Sequence, residues 1–295
     1  MKEFSTPLSR KIGLRYPLVS APMFIISNKE MLVACAEAGI LGAMPSLNAR
    51  TIEGFKEELA FVKNATDKPF AINVTIGLTQ PERLMQDVQA CLEYEVPVMI
   101  TSYGNPTQIV QAAHAAGTIV LHDVINLRHA KKAQAAGVDG IIGVSQGAGG
   151  HAGTVNPYVF IPYLRQHLDV PIVGAGCISG GEQVAATLSL GAELAYMGTR
   201  FIASTECGAD DRFKNMVVDS DHLDIVYTDQ VSGTHANFLK QTVPDPERSE
   251  GEAKKWKDIW SAGQGVSQIH EVKSIGQIVE DIVREYWDTV SRLAG

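Results

Sequence analysis

Two glycine-bearing segments are the parts of this sequence best placed to bind a charged ligand. The apolar runs at residues 171–174 and 193–197 lead into Ala175-Gly176-Cys177 and Gly198-Thr199-Arg200, respectively. Glycine lets backbone N–H groups approach a phosphate closely, because no Cβ stands in the way. The pair therefore predicts a site for a phosphorylated cofactor or substrate. The alternative is that both segments only turn the chain.

A loop of small residues carries a single imidazole. Residues 145–154 read Ser-Gln-Gly-Ala-Gly-Gly-His-Ala-Gly-Thr, so little besides His151 could act there as a base. Histidine, with an unperturbed pKa of about 6.5, can take a proton from an acidic carbon or hydrogen-bond to it near neutral pH. A structural histidine held by hydrogen bonds is the alternative. We predict that His151 is the catalytic residue.

The surrounding elements alternate between strands and helices. Apolar runs typical of strands buried on both faces recur roughly every 20 to 30 residues. The predicted strands are residues 17–21, 40–44, 70–74, 96–101, 118–121, 140–144, 170–174 and 193–197. The predicted helices include residues 29–38, 51–64, 81–93, 107–116, 127–136 and 181–190.

Alternation of strands and helices indicates a parallel sheet with right-handed crossovers. Eight such units predict an α/β fold of the (β/α)8 TIM-barrel type, in which the turns after the seventh and eighth strands often bind phosphate. An open doubly wound sheet is the alternative, but its G-x-G-x-x-G fingerprint is absent after the first strand.

The regular pattern stops after Phe201. Residues 206–258 contain helical and polar pieces, including the charged run 244–250, and an amphipathic helix follows at about residues 274–293. We predict that residues 206–258 form a small, mainly helical cap on the carboxyl-terminal face of the barrel. Residues 1–205 and 259–295 would then form the barrel itself.

The amino-acid composition of the chain indicates which kinds of molecule it is expected to bind. A net charge of −8 without a basic run argues against nucleic-acid binding and favours a small-molecule partner. The four cysteines form no C-x-x-C pair, so the sequence predicts neither a disulfide framework nor a metal site. An apolar signal core and an apolar run of about 18 residues are both absent. These features predict a cytoplasmic protein that does not associate with membranes.

Six short motifs together resemble the nitronate monooxygenase family, formerly called 2-nitropropane dioxygenases, which includes related FMN-dependent quinone and enoyl reductases. The motifs lie at predicted strand ends or in the return to the barrel mouth, and they occur in family order. They are Ala21-Pro22-Met23, Asn73, Gly149-Gly150-His151, Gly174-Ala175-Gly176, Met197-Gly198-Thr199-Arg200-Phe201 and Trp260-Ser261-Ala262-Gly263-Gln264. The resemblance implies an FMN-bound TIM barrel without a metal.

The resemblance also implies which residues contact FMN. They are Pro22, Met23, Asn73, Gly149, Gly150, Gly174, Ala175, Gly176, Cys177, Gly198, Thr199, Ser261 and Gln264. The Pro22-Met23 backbone would face the flavin ring, and Asn73 would hydrogen-bond to the cofactor. Each residue type also has an ordinary structural use: Met23 could fill the core, and Asn73 could cap a helix. Ser261 and Gln264 could cap and pack the last helix.

Two positions depart from the family pattern. Asp123, in the pair His122-Asp123 after the fifth predicted strand, stands where the family often has a lysine near the flavin. The glycine loop at residues 146–151 is shorter than usual and lacks the family's glutamate. Both departures concern the substrate more than the cofactor.

The leading hypothesis is FMN-dependent oxidation of alkyl nitronates, and of nitroalkanes as a further substrate, by dioxygen to a carbonyl compound and nitrite. An alternative with the same fold is an NAD(P)H-dependent FMN reductase of quinones or enoyl thioesters. A third hypothesis is a flavin- or phosphate-binding protein without turnover. A vacant space at the flavin face would count against it.

Overall fold

The computed structural model describes residues 4–244 and 258–295, and its central feature is a closed parallel barrel. Eight strands pair in the order β1-β2-β3-β4-β5-β6-β8-β9, and β9 pairs back to β1. They are β1 (Leu18–Ser20), β2 (Leu41–Pro45), β3 (Ala71–Thr75), β4 (Val98–Ser102), β5 (Ile119–Val124), β6 (Gly140–Val144), β8 (Ile172–Ala175) and β9 (Leu194–Met197). The predicted TIM barrel is confirmed.

Helices connect the strands and surround the barrel. They are α1 (Pro7–Ile12), α2 (Lys29–Glu37), α3 (Ile52–Ala65), α4 (Pro81–Glu93), α5 (Thr107–Ala115), α6 (Leu127–Ala135), α7 (Pro157–His167), α8 (Gly181–Ser189), α9 (Thr199–Ile202), α10 (Asp211–Asp219) and α11 (Ile275–Leu293). Side-chain caps start several of them: Asn126 accepts from the His129 amide, and Ser274 accepts from that of Gln277. The six helices predicted from the pattern are confirmed within two residues at each end.

Each barrel strand divides its side chains between two layers, because successive residues point to opposite faces. On β4, Val98 and Ile100 belong to the apolar cluster inside the barrel, whereas Met99 packs with the surrounding helices. Leu8 of α1 also joins the inner cluster. The inner residues nearest the carboxyl ends are therefore the ones that face a ligand at the mouth.

The segment after α9 is only partly helical. It contains α10 and a hairpin of β10 (Ile225–Thr228) and β11 (Ala236–Leu239). Strand β11 also pairs with the two-residue β7 (Gly150–His151), which gives a three-stranded antiparallel sheet at the barrel mouth. The prediction of a mainly helical segment was wrong about this hairpin, whose first strand, Ile-Val-Tyr-Thr, is rich in residues that favour strands.

Apart from Pro244, the predicted charged run 244–250 lies outside the described residues. Within residues 4–244 and 258–295, no helix combines the length and apolar character needed to cross a bilayer.

Candidate active site at the carboxyl-terminal mouth

A cavity of about 1930 Å³ opens at the carboxyl ends of the barrel strands. Each barrel strand, or the residue that follows it, contributes an inward-facing residue to the wall. These are Ala21, Pro45, Asn73, Ser102, Asp123, Val144, Ala175 and Tyr196. Pockets for a single small ligand usually measure about 300–1,000 Å³. The cavity therefore has room for a cofactor and a second small molecule.

The turn after β8 has an unusual backbone. Gly176 has a φ of +112°, and the half-buried Cys177 that follows has a φ of 58°. Left-handed conformations are uncommon for residues with a Cβ and tend to occur at functional sites. Both residues line the cavity, as do Gly198 and Thr199 after β9. The two glycine turns predicted to bind phosphate therefore face one space.

Gly198 leaves that space open. A Cβ placed on it would come no closer than 3.7 Å to any other atom, and its nearest neighbours would be the Ala21 Cβ and the Met23 Sδ. The surroundings of Gly176 are tighter, because a Cβ there would lie 3.2 Å from the Gln146 carbonyl oxygen. A side chain on Gly198 would thus enter the cavity, whereas one on Gly176 would press on the preceding loop.

A segment near residue 263 ties the loops of the mouth together. The Gly263 amide donates to Thr199 Oγ1 at 2.9 Å, and the Gln264 amide donates to the Gly147 carbonyl at 2.9 Å. Ser179 lies after β8, and its Oγ donates to the Gly265 carbonyl at 3.0 Å. A Cβ on Gly263 would lie 2.5 Å from the Gly147 oxygen, so this close backbone contact requires glycine. The segment holds the loops after β6, β8 and β9 in one arrangement.

His151 lies on β7, opposite Ala236 of the hairpin, and its side chain is exposed at the cavity. The ring meets Tyr103 edge to face, with 5.8 Å between centroids, and Nε2 lies 3.2 Å from Ser232 Oγ. Since the Ser232 hydroxyl donates to the Thr234 carbonyl, its oxygen accepts the Nε2 proton. Partial burial lowers the pKa of His151. The imidazole is therefore neutral near pH 7, and its unprotonated Nδ1 is the basic atom.

Three polar residues on neighbouring strands form the floor of the cavity. The Asn73 amide donates to Ser102 Oγ at 2.9 Å and to the Ile100 carbonyl at 3.1 Å. Ser102 in turn donates to Asp123 Oδ2. Both N–H bonds of Asn73 are used inside the protein, and Oδ1 accepts from Thr75 Oγ1 at 3.3 Å, so one lone pair of Oδ1 is left to contact a ligand. The floor is an ordered chain of hydrogen bonds that ends on a carboxylate.

The charge at the floor is negative and unpaired. Burial raises the pKa of Asp123 to about 6, although the Ser102 hydrogen bond opposes the shift. Burial and the nearby Asp123 carboxylate raise the pKa of Tyr103 to about 12, and they raise that of Tyr196 as well. Among the described residues, Lys132 on α6 is the only lysine or arginine lining the cavity. Anionic groups would therefore bind mainly to backbone N–H groups and hydroxyls.

His122 does not share the position of Asp123. Adjacent residues of a strand point to opposite faces, and the Nδ1 atom of His122 lies 2.8 Å from Thr101 Oγ1, on the helix side of the barrel. Burial lowers the pKa of His122 to about 4, so the ring is neutral. Of the pair considered from the sequence, only Asp123 lies at the floor of the mouth.

The cavity brings together His151 and most of the residues implied as FMN contacts. Those that line it are Pro22, Met23, Asn73, Gly149, Gly150, Ala175, Gly176, Cys177, Gly198, Thr199 and Ser261. Gly174 points outward, where an added Cβ would lie 2.5 Å from Thr187 Cγ2. Gln264 lies outside the lining and supports the loop through its amide contact with Gly147. The structure shows Gly174 packed against α8 and Gln264 supporting the loop, and the FMN contacts expected of these two residues stay predictions.

Several residues of the site were not predicted. Ser102, Tyr103 and Tyr196 line the cavity beside Asp123. The alternation of inward and outward residues along β4 and β9 could have identified Ser102 and Tyr196, since each continues an inward row. Tyr103 follows β4 in a loop with a φ of 54°, for which the sequence has no clear signal.

An apolar rim surrounds the entrance. Phe24 is 55% exposed and Ile25 is 57% exposed, and both line the cavity with Leu78 and Ile125. Ile25 has a φ of 72°, which is rare for a β-branched residue, and its amide donates to Asn48 Oδ1 at 2.8 Å. An exposed apolar group of this kind is typical of a ligand-binding entrance.

Sequence comparisons show which proteins the chain is similar to. The family model described as nitronate monooxygenase matches residues 5–84 and 77–250. A nitronate monooxygenase from Paraburkholderia phytofirmans is 27% identical, and the match covers 77% of this chain and 74% of that protein. The (3aS,4S,5R,7aS)-5-hydroxy-7a-methyl-1-oxo-octahydro-1H-indene-4-carboxyl-CoA dehydrogenase from Rhodococcus jostii is 28% identical over 73% of this chain, and the match spans 60% of that relative's length.

Solved structures give a similar result. FabK from Thermotoga maritima superposes with a TM-score of 0.87 at 28% identity, covering 98% of both chains. A nitroalkane oxidase from Streptomyces ansochromogenes has the same fold, with a TM-score of 0.84 at 24% identity over 97% of this chain and 99% of that one. Because the family model covers most of the sequence, the chain belongs to the nitronate monooxygenase family of flavin-dependent oxidoreductases.

Proposed function

We propose that the protein uses FMN to oxidise alkyl nitronates with dioxygen, giving a carbonyl compound and nitrite, and that neutral nitroalkanes are a further substrate. The observation that carries the proposal is the shared cavity, which is lined by the glycine turns after β8 and β9 and by His151. The relative from Paraburkholderia phytofirmans that is named a nitronate monooxygenase supports the same activity.

The residues at the mouth fit FMN. Gly198 lines the cavity without close contacts, and the left-handed turn at Gly176 and Cys177 lines the same wall, as a phosphate cradle requires. Thr199 Oγ1 accepts from the Gly263 amide, so its hydroxyl proton is free to bind an anion. The sequence contains one such cradle and no second fingerprint for an adenosine half, which favours FMN over FAD. When bound, FMN supplies the electron transfer between substrate and dioxygen.

His151 is proposed to act on the substrate. Its Nδ1 would take the proton from the carbon beside the nitro group of a neutral nitroalkane, and Ser232 would hold the ring through Nε2. The lowered pKa of His151 keeps this base unprotonated near neutral pH. With a nitronate, which has already lost that proton, the imidazole would only orient the substrate.

Reduction of quinones or enoyl thioesters by an NAD(P)H-dependent FMN enzyme is the second candidate function. The unpaired Asp123 carboxylate favours it, because a negative floor repels a nitronate anion more than it repels a neutral quinone or thioester. Similarity to FabK over 98% of both chains is also consistent with a relative of the reductase branch.

One set of measurements on the purified protein separates these functions. Chromatography of the released cofactor is expected to show FMN, and FAD or a colourless protein unable to bind FMN would contradict the cofactor proposal. Without oxygen, propionate 3-nitronate is expected to bleach the flavin absorbance. Rapid bleaching by NADH or NADPH, with none by the nitronate, would instead establish the reductase.

A further inference from the structure

The floor of the cavity contains an ionisable group that the proposed reaction leaves unused. Asp123 is the one carboxylate on the inner floor, and neither the cradle after β8 and β9 nor the base His151 involves it. We propose that Asp123 takes up a proton when the bound flavin is reduced, so that this carboxylate neutralises the negative charge that arrives with the electrons. The inference rests on the flavin part of the proposed function and is independent of which substrate delivers the electrons.

The hydrogen-bond chain makes Asp123 an acceptor. Asn73 donates to Ser102, and Ser102 passes its own proton toward Asp123 Oδ2, so the direction is set from β3 to β5. Among the described residues, Ser102 is the only group that donates a hydrogen bond to the carboxyl. No lysine, arginine or histidine there forms an ion pair with it. Oδ2 of Asp123 is thus held as a hydrogen-bond acceptor, and the Asp123 carboxylate can still bind one proton.

The groups around Asp123 cannot supply a compensating positive charge. Tyr103, from the loop after β4, and Tyr196, on β9, are phenols whose pKa values the site raises, so both stay neutral near pH 7. His151 contacts Tyr103 in an edge-to-face arrangement and is neutral, because its pKa is lowered. His122 points to the helices and is also neutral, because burial lowers its pKa to about 4. Lys132 lines the cavity from α6, outside the barrel strands, and among the described residues it forms no ion pair with Asp123. The Asp123 carboxylate is therefore the group that can offset added negative charge, which it does by binding a proton.

The direction of the response follows from electrostatics. Before any electrons arrive, a carboxyl whose pKa burial raises to about 6 in the protein itself is mostly ionised at pH 7. Two electrons on the neighbouring cofactor raise this pKa further, because a like charge disfavours the ionised form. A solvent proton then forms the O–H bond of Asp123, the electrons stay on the flavin, and no bond breaks. Below about pH 5 the carboxyl is protonated in both states, so the uptake disappears.

The test is the pH dependence of the flavin midpoint potential, measured by anaerobic spectroelectrochemistry on the holoenzyme. One extra proton per two electrons adds about 30 mV per pH unit to the slope. We expect the slope between about pH 6 and pH 8 to be steeper by up to this amount in the wild type than in Asp123→Asn. The two lines should become parallel below about pH 5. Equal slopes throughout would overturn the proposal.

Two further variants identify the proton acceptor. Ser102→Ala keeps the carboxylate but removes the hydrogen bond that lowers its pKa, so the steep region should persist and move to higher pH. His151→Asn should leave the steep region unchanged, and its loss in that variant would assign the proton to the histidine and overturn the proposal.

A protein that binds FMN but ignores nitronates would disprove the proposed substrate while leaving this test intact. A protein that binds no flavin would remove the basis of both.

Discussion

The two halves of the barrel mouth differ in the chemical groups that line the cavity. The half after β6, β8 and β9 presents glycine-rich backbone, with Gly149, Gly176 and Gly198 at the cavity wall. The half at the ends of β3, β4 and β5 presents polar side chains, namely Asn73, Ser102 and Asp123. Backbone N–H groups suit a phosphate, whereas side chains set charge and proton supply. We therefore expect the first half to hold the phosphate of a cofactor and the second half to set the charge that a substrate meets.

His151 stands where the two halves meet, and its replacement should have the largest effect on activity. We expect His151→Asn to keep FMN bound and to lower turnover of neutral nitroalkane by roughly 10²–10⁴-fold, the usual contribution of a general base. Turnover of the ionised nitronate should fall less, because no carbon proton remains to be removed. Steady-state kinetics on both substrate forms measure the difference, with the surface variant His270→Asn as the control.

The same residue predicts a pH profile. Because burial lowers the pKa of His151, turnover of nitroalkane should persist below the ordinary histidine pKa and fall only as the pH drops through the lowered value. Equal losses on nitroalkane and nitronate would show that His151 orients the substrate. No loss on either would place the base elsewhere.

Gly198 tests whether the glycine half holds the cofactor. Gly198→Leu should place a side chain in the cavity, since a Cβ there meets its neighbours only at ordinary van der Waals distance, and it should weaken FMN binding by about 100-fold, the equivalent of losing one hydrogen bond to a charged group. Fluorescence titration with FMN measures the affinity, and circular dichroism checks the fold. Gly276→Leu on α11 is the matched control, because a Cβ there would meet no atom within 4 Å and the position lies outside the cavity. Unchanged affinity in Gly198→Leu would refute the cradle.

Replacement of Gly174 should have the smallest effect, and that effect should be on stability and not on FMN binding. An alanine Cβ there would lie 2.5 Å from Thr187 Cγ2 and 2.9 Å from Ile161 Cδ1, so Gly174→Ala should lower the free energy of unfolding by about 1–3 kcal/mol through overpacking. The FMN affinity of the folded protein should not change. Thermal unfolding beside FMN titration separates the two quantities, and Gly276→Ala provides a glycine without such contacts. A selective loss of FMN affinity would return Gly174 to the cofactor site.

The sequence predicts the barrel well because each strand is a local apolar run flanked by turn residues. Its prediction of the fifth strand, residues 118–121, is too short, since β5 continues to Val124. That difference matters, because the inward row of β5 then includes Asp123. A polar pair at a strand end reads as a loop, and only pairing with β4 and β6 shows that the strand continues.

Long-range contacts explain what the sequence did not predict. The strand β7 has two residues, and its partner β11 lies more than 80 residues later, so no local pattern identifies the sheet that carries His151. The outward direction of Gly174 was recoverable from period-two alternation, since Val173 and Ala175 face inward. The left-handed backbone conformation of Cys177 could not be predicted in this way, because it depends on the packed loops around the residue.

The segment that ties the mouth together also sets an order of events during biosynthesis. All eight barrel strands are complete once Met197 has been made, yet Thr199 and the Gly147 loop gain their tethers only from Gly263 and Gln264. Ribosomes add about 5–20 residues per second, so several seconds separate synthesis of the last barrel strand from synthesis of the residues that complete the cradle. A nascent chain stalled between these points would contain the barrel strands without a finished cradle. Loading of the prosthetic group is therefore expected to be a late event, which follows synthesis of residue 265.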